Sequence, residues 1–262
     1  EKNILRSIKI LGSTPNILAS FDRIRRGKEP IQPRKDLNFA SNFLYLLKGE
    51  EPKEREAKAM DIALILHAEH EMNASTFACL VTASTKSDMY SSITSGIGTL
   101  KGPLHGGANE GALRMFLEIG DPERVPSYLD NLLASKKRVM GFGHRVYKTY
   151  DPRYRILKEL AMEMSKEKGE DKLFSIALRT EEEALKRLKK YNVYPNVDFY
   201  SGLVFHLLGI PIDLFTCVFA MGRIVGWCSH ILEYWSDNKL IRPKALYTGD
   251  LDLVYKPINQ RE

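Results

Sequence analysis

The sequence of 262 residues has little cysteine, and its thiols at Cys79, Cys217 and Cys228 form no CxxC pair. An odd number of cysteines in apolar surroundings argues against a disulfide-built secreted domain and predicts reduced thiols in a cytoplasmic protein. The N-terminus lacks the apolar core of a signal peptide. No apolar run approaches the ~18 residues of a membrane span. No segment alternates apolar and polar residues as a half-buried strand would.

Charge of one sign is also not concentrated, although the net charge is +6. Acidic and basic residues are mixed along helical faces, as in the stretch from Glu181 to Arg187, which is typical of a solvated helix surface. Basic residues do not interleave with aromatic ones, so we do not expect a nucleic-acid partner. Part of the positive excess could instead attract an anionic substrate.

What the sequence does contain is helical periodicity, with 44% apolar residues, enough for a sizeable core. The fold class predicted is all-α. Pro15 predicts a break or kink in the first helix, and Asp36 is a candidate N-cap of the second. Asp151 and Pro152 form an N-cap and first-turn pair. The segment from Asp213 to Trp235 is the most apolar helix and is placed in the core.

Three polar motifs interrupt these helices. In GPLHGGAN, residues 102–109, His105 lies just before a helix N-terminus, where the helix dipole disfavours a second positive charge. A neutral imidazole there can polarise a carbonyl, or it can simply cap the helix. GFGHRVYKTYDPRY, residues 141–154, carries His144 between glycine and arginine, and NVDFYSG, residues 196–202, carries Asp198 at the start of an apolar helix. Taken alone, Asp198 also fits an ordinary N-cap.

In this order and spacing, the three motifs resemble the citrate synthase family, which includes the 2-methylcitrate synthases. The resemblance implies two helical domains: a large one of residues 1–106 and 210–262, and a small one of residues 107–209 that closes over the substrate. It begins at residue 1, whereas chains of the family usually begin earlier with a further helical stretch and short strands. We therefore expect a fragment or an unusual short form rather than a complete working enzyme.

The resemblance also implies roles for the three motif residues. Asp198 takes a proton from the methyl group of the thioester, and partial burial would raise its pKa toward a useful value. His105 stabilises the enol at the thioester oxygen. His144 protonates the carbonyl of oxaloacetate as the new bond forms, and citryl-CoA is then hydrolysed. No metal is needed.

Arginines suit a dicarboxylate because the guanidinium fork matches a carboxylate. Arg153, Arg223 and Arg242 match the substrate arginines of the family, and His70 matches an oxaloacetate-binding histidine. Arg223 interrupts an apolar helix and needs an anionic partner. Arg242 reads as an exposed loop residue, but its counterpart reaches the neighbouring subunit's site, which implies a homodimer.

The close pair His67 and His70 does not predict zinc, because position 74 is Ala74 and no HExxH is present. The chain is one residue shorter here than many relatives of the family, which leaves contacts by Asn73 and Ser75 open. We therefore expect no metal site.

The resemblance places CoA, as a co-substrate and not a permanent cofactor, at Val139, Met140, Gly141, Phe142 and Gly143. Glycines let a ligand approach the backbone closely. The basic residues Lys136, Lys137 and Arg138 could meet the CoA phosphates or form ordinary solvated surface.

The function predicted is that of a citrate synthase, an acyltransferase that joins acetyl-CoA to oxaloacetate and releases citrate and CoA. A 2-methylcitrate synthase that uses propionyl-CoA shares the motifs, and one methylene is worth only ~1–3 kcal/mol of discrimination. The remaining alternative is a helical dimerisation module without catalysis. An enzyme should release the CoA thiol and lose that activity when Asp198 is replaced, whereas a non-catalytic module should release no thiol with or without the replacement.

Overall fold

The computed structural model of the chain describes residues 1–261, which form α helices, short 3₁₀ turns and no strand. The all-α prediction is confirmed. The helices are α1 (Lys2–Arg25), α2 (Phe39–Lys48), α3 (Glu54–Ala68), α4 (Ala74–Ser84), α5 (Met89–Leu100), α6 (Ala108–Ile119), α7 (Val125–Ala134), α8 (Pro152–Lys168), α9 (Asp171–Leu188), α10 (Val197–Leu207) and α11 (Phe215–Ser236).

The local predictions for the first two helices have different outcomes. α1 has no break at Pro15 and runs without interruption through it, because its packing against α2 and α11 outweighs one missing backbone hydrogen bond. The prediction of Asp36 as N-cap of α2 is wrong. The N-cap of α2 is Asn38, whose side chain accepts the Ser41 amide; Asp36 is instead paired with Arg34. The Asp151 and Pro152 pair does open α8, as predicted, with the Asp151 carboxylate accepting the Arg153 amide.

The hydrophobic core has two clusters, and α11 belongs to both. The larger cluster joins α1, α2, α3 and α6–α10 to the first half of α11, and includes Phe43, Phe199 and Phe215. The smaller cluster joins α4 and α5 to the second half of α11 around Trp227. The larger cluster crosses residues 107 and 209, so apolar packing does not mark the predicted domain boundaries.

One segment, Ile212–Ser236, is long and apolar enough to cross a membrane by composition, contrary to what the sequence led us to expect. Its most apolar window is 67% buried inside the protein. The segment is therefore explained as the central helix of the core, which is where its hydropathy had placed it.

Candidate active site

Asp198 is the second residue of α10, and its carboxylate is buried without a hydrogen-bond partner for Oδ1 in residues 1–261. The Asn196 side chain caps the helix by accepting the Asp198 amide at 2.9 Å, and donates to the Gly143 carbonyl at 2.8 Å. Burial raises the pKa of Asp198 to about 7, against the opposing charges of Arg153 and Arg223. A carboxylate of this kind accepts a proton readily near neutral pH.

The loop 139–143 is held against the start of α10. The Gly141 carbonyl accepts the Asn196 amide at 2.9 Å, and Phe142 packs edge-on against Phe199, with 5.1 Å between ring centroids. Gly141 has a φ of +76°, and a Cβ there would lie 2.6 Å from the Cα of Phe199. The glycine therefore allows this loop to touch the helix that carries Asp198.

His105 contacts Ser75, the second residue of α4. Its Nε2 accepts the Ser75 backbone N–H at 3.3 Å and lies 2.9 Å from the Ser75 Oγ, which also accepts the indole N–H of Trp227 at 3.2 Å. Because a backbone amide can only donate, the proton of a neutral His105 lies on Nδ1. Burial, followed by the charge of Arg223, lowers the pKa of His105, so the ring is neutral near pH 7.

His70 and His144 face each other, with their Nε2 atoms 2.9 Å apart. The Nδ1 of His144 accepts two backbone amides, from Val146 and Tyr147, each at 3.1 Å. Its proton is therefore on Nε2, and His70 accepts it. Burial lowers the pKa of both rings, that of His70 to about 4, so the pair is neutral near pH 7.

Arg153 and Asp151 form a two-pronged ion pair at the start of α8. The Nε and Nη2 of Arg153 donate to the two oxygens of Asp151 at 3.0 and 2.7 Å. The same carboxylate accepts the Val197 amide at 3.2 Å, at the start of α10. Burial would raise the pKa of Asp151, but the hydrogen bonds and charge of Arg153 outweigh it and hold that pKa below its usual value.

Arg223 is 2% exposed on α11 and has a charge that no acid pairs with inside residues 1–261. Its Nε donates to the His67 carbonyl at 2.7 Å, and its guanidinium carbon lies 4.9 Å from the Phe219 ring centroid. Burial, and then the like charge of Arg153, lowers its pKa to about 10. Two neighbouring cations in an apolar setting favour an anionic ligand.

The close packing of α3 on α11 brings these groups together. A Cβ on Gly226 would lie 2.4 Å from the Ala68 carbonyl oxygen at the end of α3. After burial, the charge of Arg223 lowers the pKa of His105. Behind burial and the charge of Arg153, it also lowers the pKa of His70 and opposes the rise in the pKa of Asp198. The structure therefore gathers these predicted residues around Arg223.

Arg242 is not brought to this site. It is exposed in the extended segment after α11, where its Nη1 donates to the carbonyl of Pro243. The basic residues at positions 136–138 are exposed beside the loop 139–143. Among residues 1–261 no group of three or more His, Cys, Asp or Glu side chains has the arrangement of a metal site.

Sequence reasoning missed four supporting residues: Asp151, Asn196, Trp227 and His67. The sequence pattern indicates Asp151 only as a helix cap, although Arg153 two residues later is a signal for an ion pair. For His67, whose Nδ1 lies 2.7 Å from the Ala63 carbonyl, the pattern raises only the question of a metal ligand. Trp227 carried no local signal, because its bond to Ser75 spans 152 positions.

Comparison with known proteins gives the family to which these motifs point. The family described as "Citrate synthase, C-terminal domain" matches residues 1–244. Citrate synthase 2 of Bacillus subtilis is 49% identical over all of this chain and 69% of its own length. Citrate synthase of Synechocystis is 50% identical over 97% of this chain and 64% of its own. The chain thus spans about two thirds of the length of these relatives.

Solved structures show the same fold. Citrate synthase of Thermoplasma acidophilum, in ternary complex with carboxymethyl coenzyme A and oxaloacetate, has a TM-score of 0.92 and 42% identity, covering 97% of this chain and 68% of that one. Citrate synthase of Thermotoga maritima has a TM-score of 0.88 and 48% identity. The predicted family, fold and acyltransferase class are confirmed, and these relatives favour citrate synthase over 2-methylcitrate synthase.

Proposed function

Because the chain belongs to the citrate synthase family, we propose that its site condenses acetyl-CoA with oxaloacetate and hydrolyses citryl-CoA to citrate and CoA. The observation that carries this proposal is the buried Asp198 carboxylate, whose Oδ1 has no partner in residues 1–261 and whose pKa is about 7. A methyl group beside a thioester is a weak acid, and a poised, desolvated carboxylate is suited to remove its proton.

Two neutral imidazoles supply the rest of the condensation. His105 presents Nδ1–H, because Nε2 is bonded to Ser75, and this proton donates to the thioester oxygen as the enol forms. His144 presents Nε2–H, because Nδ1 is held by two amides, and it donates to the ketone oxygen of oxaloacetate as the carbon attacks. One proton moves from the methyl carbon to Asp198 and one moves from Nε2 of His144 to the ketone oxygen, so the net charge of the site is unchanged. Return of the proton from Asp198 to His144 restores both groups for the next turnover.

The cations of the site hold the oxaloacetate carboxylates. Arg223 is buried and has no acidic partner in residues 1–261, so a bound carboxylate would relieve the desolvation of its charge. Arg153 is fixed by Asp151 through Nε and Nη2. Its Nη1 donates one N–H to the Leu66 carbonyl at 3.5 Å and has a second N–H for the ligand. His70, neutral and next to His144, completes the binding of oxaloacetate.

CoA is placed along the loop from Val139 to Gly143, through Met140, Gly141 and Phe142. That loop contacts the start of α10, so a thioester lying on it would reach Asp198. The exposed basic residues Lys136, Lys137 and Arg138 lie next to the loop and suit the CoA phosphates.

The working assembly proposed is a homodimer in which Arg242 reaches the partner's site. Arg242 is exposed on the extended segment after α11, and apolar side chains on α4 and α5 are uncovered: Phe77, Tyr90 and Ile97 are 47%, 49% and 45% exposed. A second copy would cover these helices.

Residues 107–209 are proposed to close over bound oxaloacetate. Small-angle scattering with and without oxaloacetate would detect this closure. The free cysteines suit a cytoplasmic enzyme.

The experiment is CoA release in a thiol-reporter assay with oxaloacetate, offering acetyl-CoA and propionyl-CoA separately. Turnover with acetyl-CoA that vanishes in Asp198→Ala supports the proposal, and a higher kcat/KM for propionyl-CoA would assign a 2-methylcitrate synthase. If folded protein that binds oxaloacetate gave no turnover with either thioester, the proposed catalysis would be wrong.

A further inference from the structure

We propose that Asp151 is a positioning residue that joins the substrate arginine Arg153 and the catalytic base Asp198 into one rigid unit. The inference rests on the proposed function and deepens it. Asp151 touches neither substrate nor reacting atoms in this scheme. It acts through the two groups it holds.

The geometry has three parts that meet on one carboxylate. Oδ1 of Asp151 accepts the Arg153 backbone amide and Nε, each at 3.0 Å. Oδ2 accepts the Arg153 Nη2 at 2.7 Å and the Val197 amide at 3.2 Å. Val197 directly precedes Asp198, so a single side chain fixes the guanidinium on α8 and the start of α10.

The burial of this carboxylate makes the arrangement specific. Asp151 is 1% exposed and the Arg153 side chain 12% exposed, so water does not compete for these hydrogen bonds. An ordinary helix cap needs one oxygen, whereas here both oxygens accept, and the second serves an element 46 positions away in the chain. Capping alone does not account for that second set of bonds.

The charge of Asp151 also acts on the base. Three charged groups face Asp198: Arg153 at the start of α8, Arg223 on α11 and Asp151 itself. The two arginines favour the charged carboxylate, while Asp151 opposes it and supports the effect of burial. Removing this negative charge leaves the two arginines unopposed, so the pKa of Asp198 falls. Asp198 then becomes a weaker base, and it stays ionised down to a lower pH.

The variant that tests this is Asp151→Asn, which keeps the size of the side chain and one acceptor oxygen. Its matched control is Asp121→Asn, because Asp121 also precedes a proline and accepts the amide two residues on, from Glu123 at 3.0 Å, away from the site. We expect Asp151→Asn to raise the KM for oxaloacetate about tenfold or more. It should also move the acid limb of the kcat profile to lower pH, whereas Asp121→Asn does neither.

A double-mutant cycle separates positioning from general structural damage. In an Arg153→Met background, Asp151→Asn should change the oxaloacetate KM by less than about twofold, because the two residues act as one unit. The proposal is overturned if Asp151→Asn keeps the wild-type KM and acid limb. It is also overturned if the change in KM is equally large with and without Arg153.

Two further measurements test the role of Asp151 if the Asp151→Asn variant does not fold or if the wild-type chain shows no turnover. If circular dichroism shows Asp151→Asn to be unfolded, Asp151→Glu takes its place; it should keep the acid limb but raise the KM, and an unchanged KM would overturn the proposal. If the wild-type chain shows no turnover, the proposed catalysis fails independently. Calorimetric titration with oxaloacetate then tests Asp151, with about tenfold weaker binding expected in Asp151→Asn.

Discussion

The Nε2 atoms of His70 and His144 lie 2.9 Å apart, and the backbone around His144 decides which of them carries the proton. Two amides on the Nδ1 of His144 leave its proton on Nε2, aimed at His70. A ketone oxygen that displaced His70 from this bond would meet a donor already oriented toward it. The site therefore prepares its proton donor before the substrate arrives.

Replacing His144 tests this donor. We expect His144→Gln to lower kcat by about 10²–10⁴, the range for loss of a general acid, in steady-state assays with both substrates saturating. His206→Gln, at the far end of α10, is the control and should keep kcat within about twofold of the wild type. A similar kcat in His144→Gln would show that the carbonyl is protonated by another group.

Replacing Asp198 tests the buried carboxylate through stability. The folded pKa of Asp198, about 7, lies well above the ordinary pKa of an aspartate, so the folded state holds its proton more tightly than the unfolded state does. Stability is therefore lost as pH rises from about 4 to about 7 and stays low above that. At high pH, the buried charged carboxylate lowers the free energy of unfolding by on the order of 4 kcal/mol. Asp198→Asn removes the charge, but its buried amide retains part of this cost.

We expect Asp198→Asn to unfold at a higher denaturant concentration than the wild type at pH 8, and to show no such gain at pH 4.5. Urea titrations at the two pH values measure the difference. Equal gains at both pH values would mean that the carboxylate is not desolvated in the folded protein. Turnover should be absent in this variant at either pH.

Replacing Arg223 separates ligand binding from folding. We expect Arg223→Met to abolish the rise in melting temperature that oxaloacetate gives the wild type, because the unpaired guanidinium is the grip for one carboxylate. Without ligand, removing this buried charge should raise the free energy of unfolding by about 1 kcal/mol or more.

Arg187→Met is the control for that experiment, because Arg187 is a partly buried arginine that is already paired with Asp130 and Glu183. It should lower stability slightly and keep the ligand-induced shift. If Arg223→Met retained that shift, the carboxylate would be held elsewhere.

Gly141 and Gly169 form a matched pair for the loop 139–143. Both have positive φ, +76° and +70°, but a Cβ meets Phe199 at position 141 and nothing within 4 Å at position 169. We expect Gly169→Ala to lose about 1 kcal/mol from backbone strain, and Gly141→Ala to lose about 1–3 kcal/mol more from the clash.

Kinetics should separate the two glycine variants as well. The KM for acetyl-CoA should rise in Gly141→Ala and stay unchanged in Gly169→Ala. Equal melting temperatures and equal KM values in the two variants would argue against the close contact of this loop with α10.

The sequence allowed the motif residues to be placed because each one sits beside a local signal. Two glycines, Gly141 and Gly143, precede His144, a proline follows Asp151, and Asn196 precedes Asp198 at the start of an apolar helix. These signals depend on neighbours in the chain, and the helices did begin at α8 and α10 where those residues predicted. The fold class followed from periodicity in the same way.

Contacts between distant residues could not be predicted by this means. The second role of Asp151 depends on Val197, and the environment of His105 depends on Ser75 and Trp227, which meet only after α4 packs against α11. The start of α2 was misplaced for a local reason, since both Asp36 and Asn38 can cap a helix and the Arg34 ion pair decides between them.

The absence of a side chain at Gly226 limits which substitutions α11 can accept. Even a methyl group there would be a wedge between the helix that bears Arg223 and the end of the helix that leads to His70. Substitutions of the exposed side chains of α11 would alter little beyond the surface. At position 226 a substitution would instead push α11 away from the end of α3, so the packing of the core and the geometry of the proposed site depend on the same glycine.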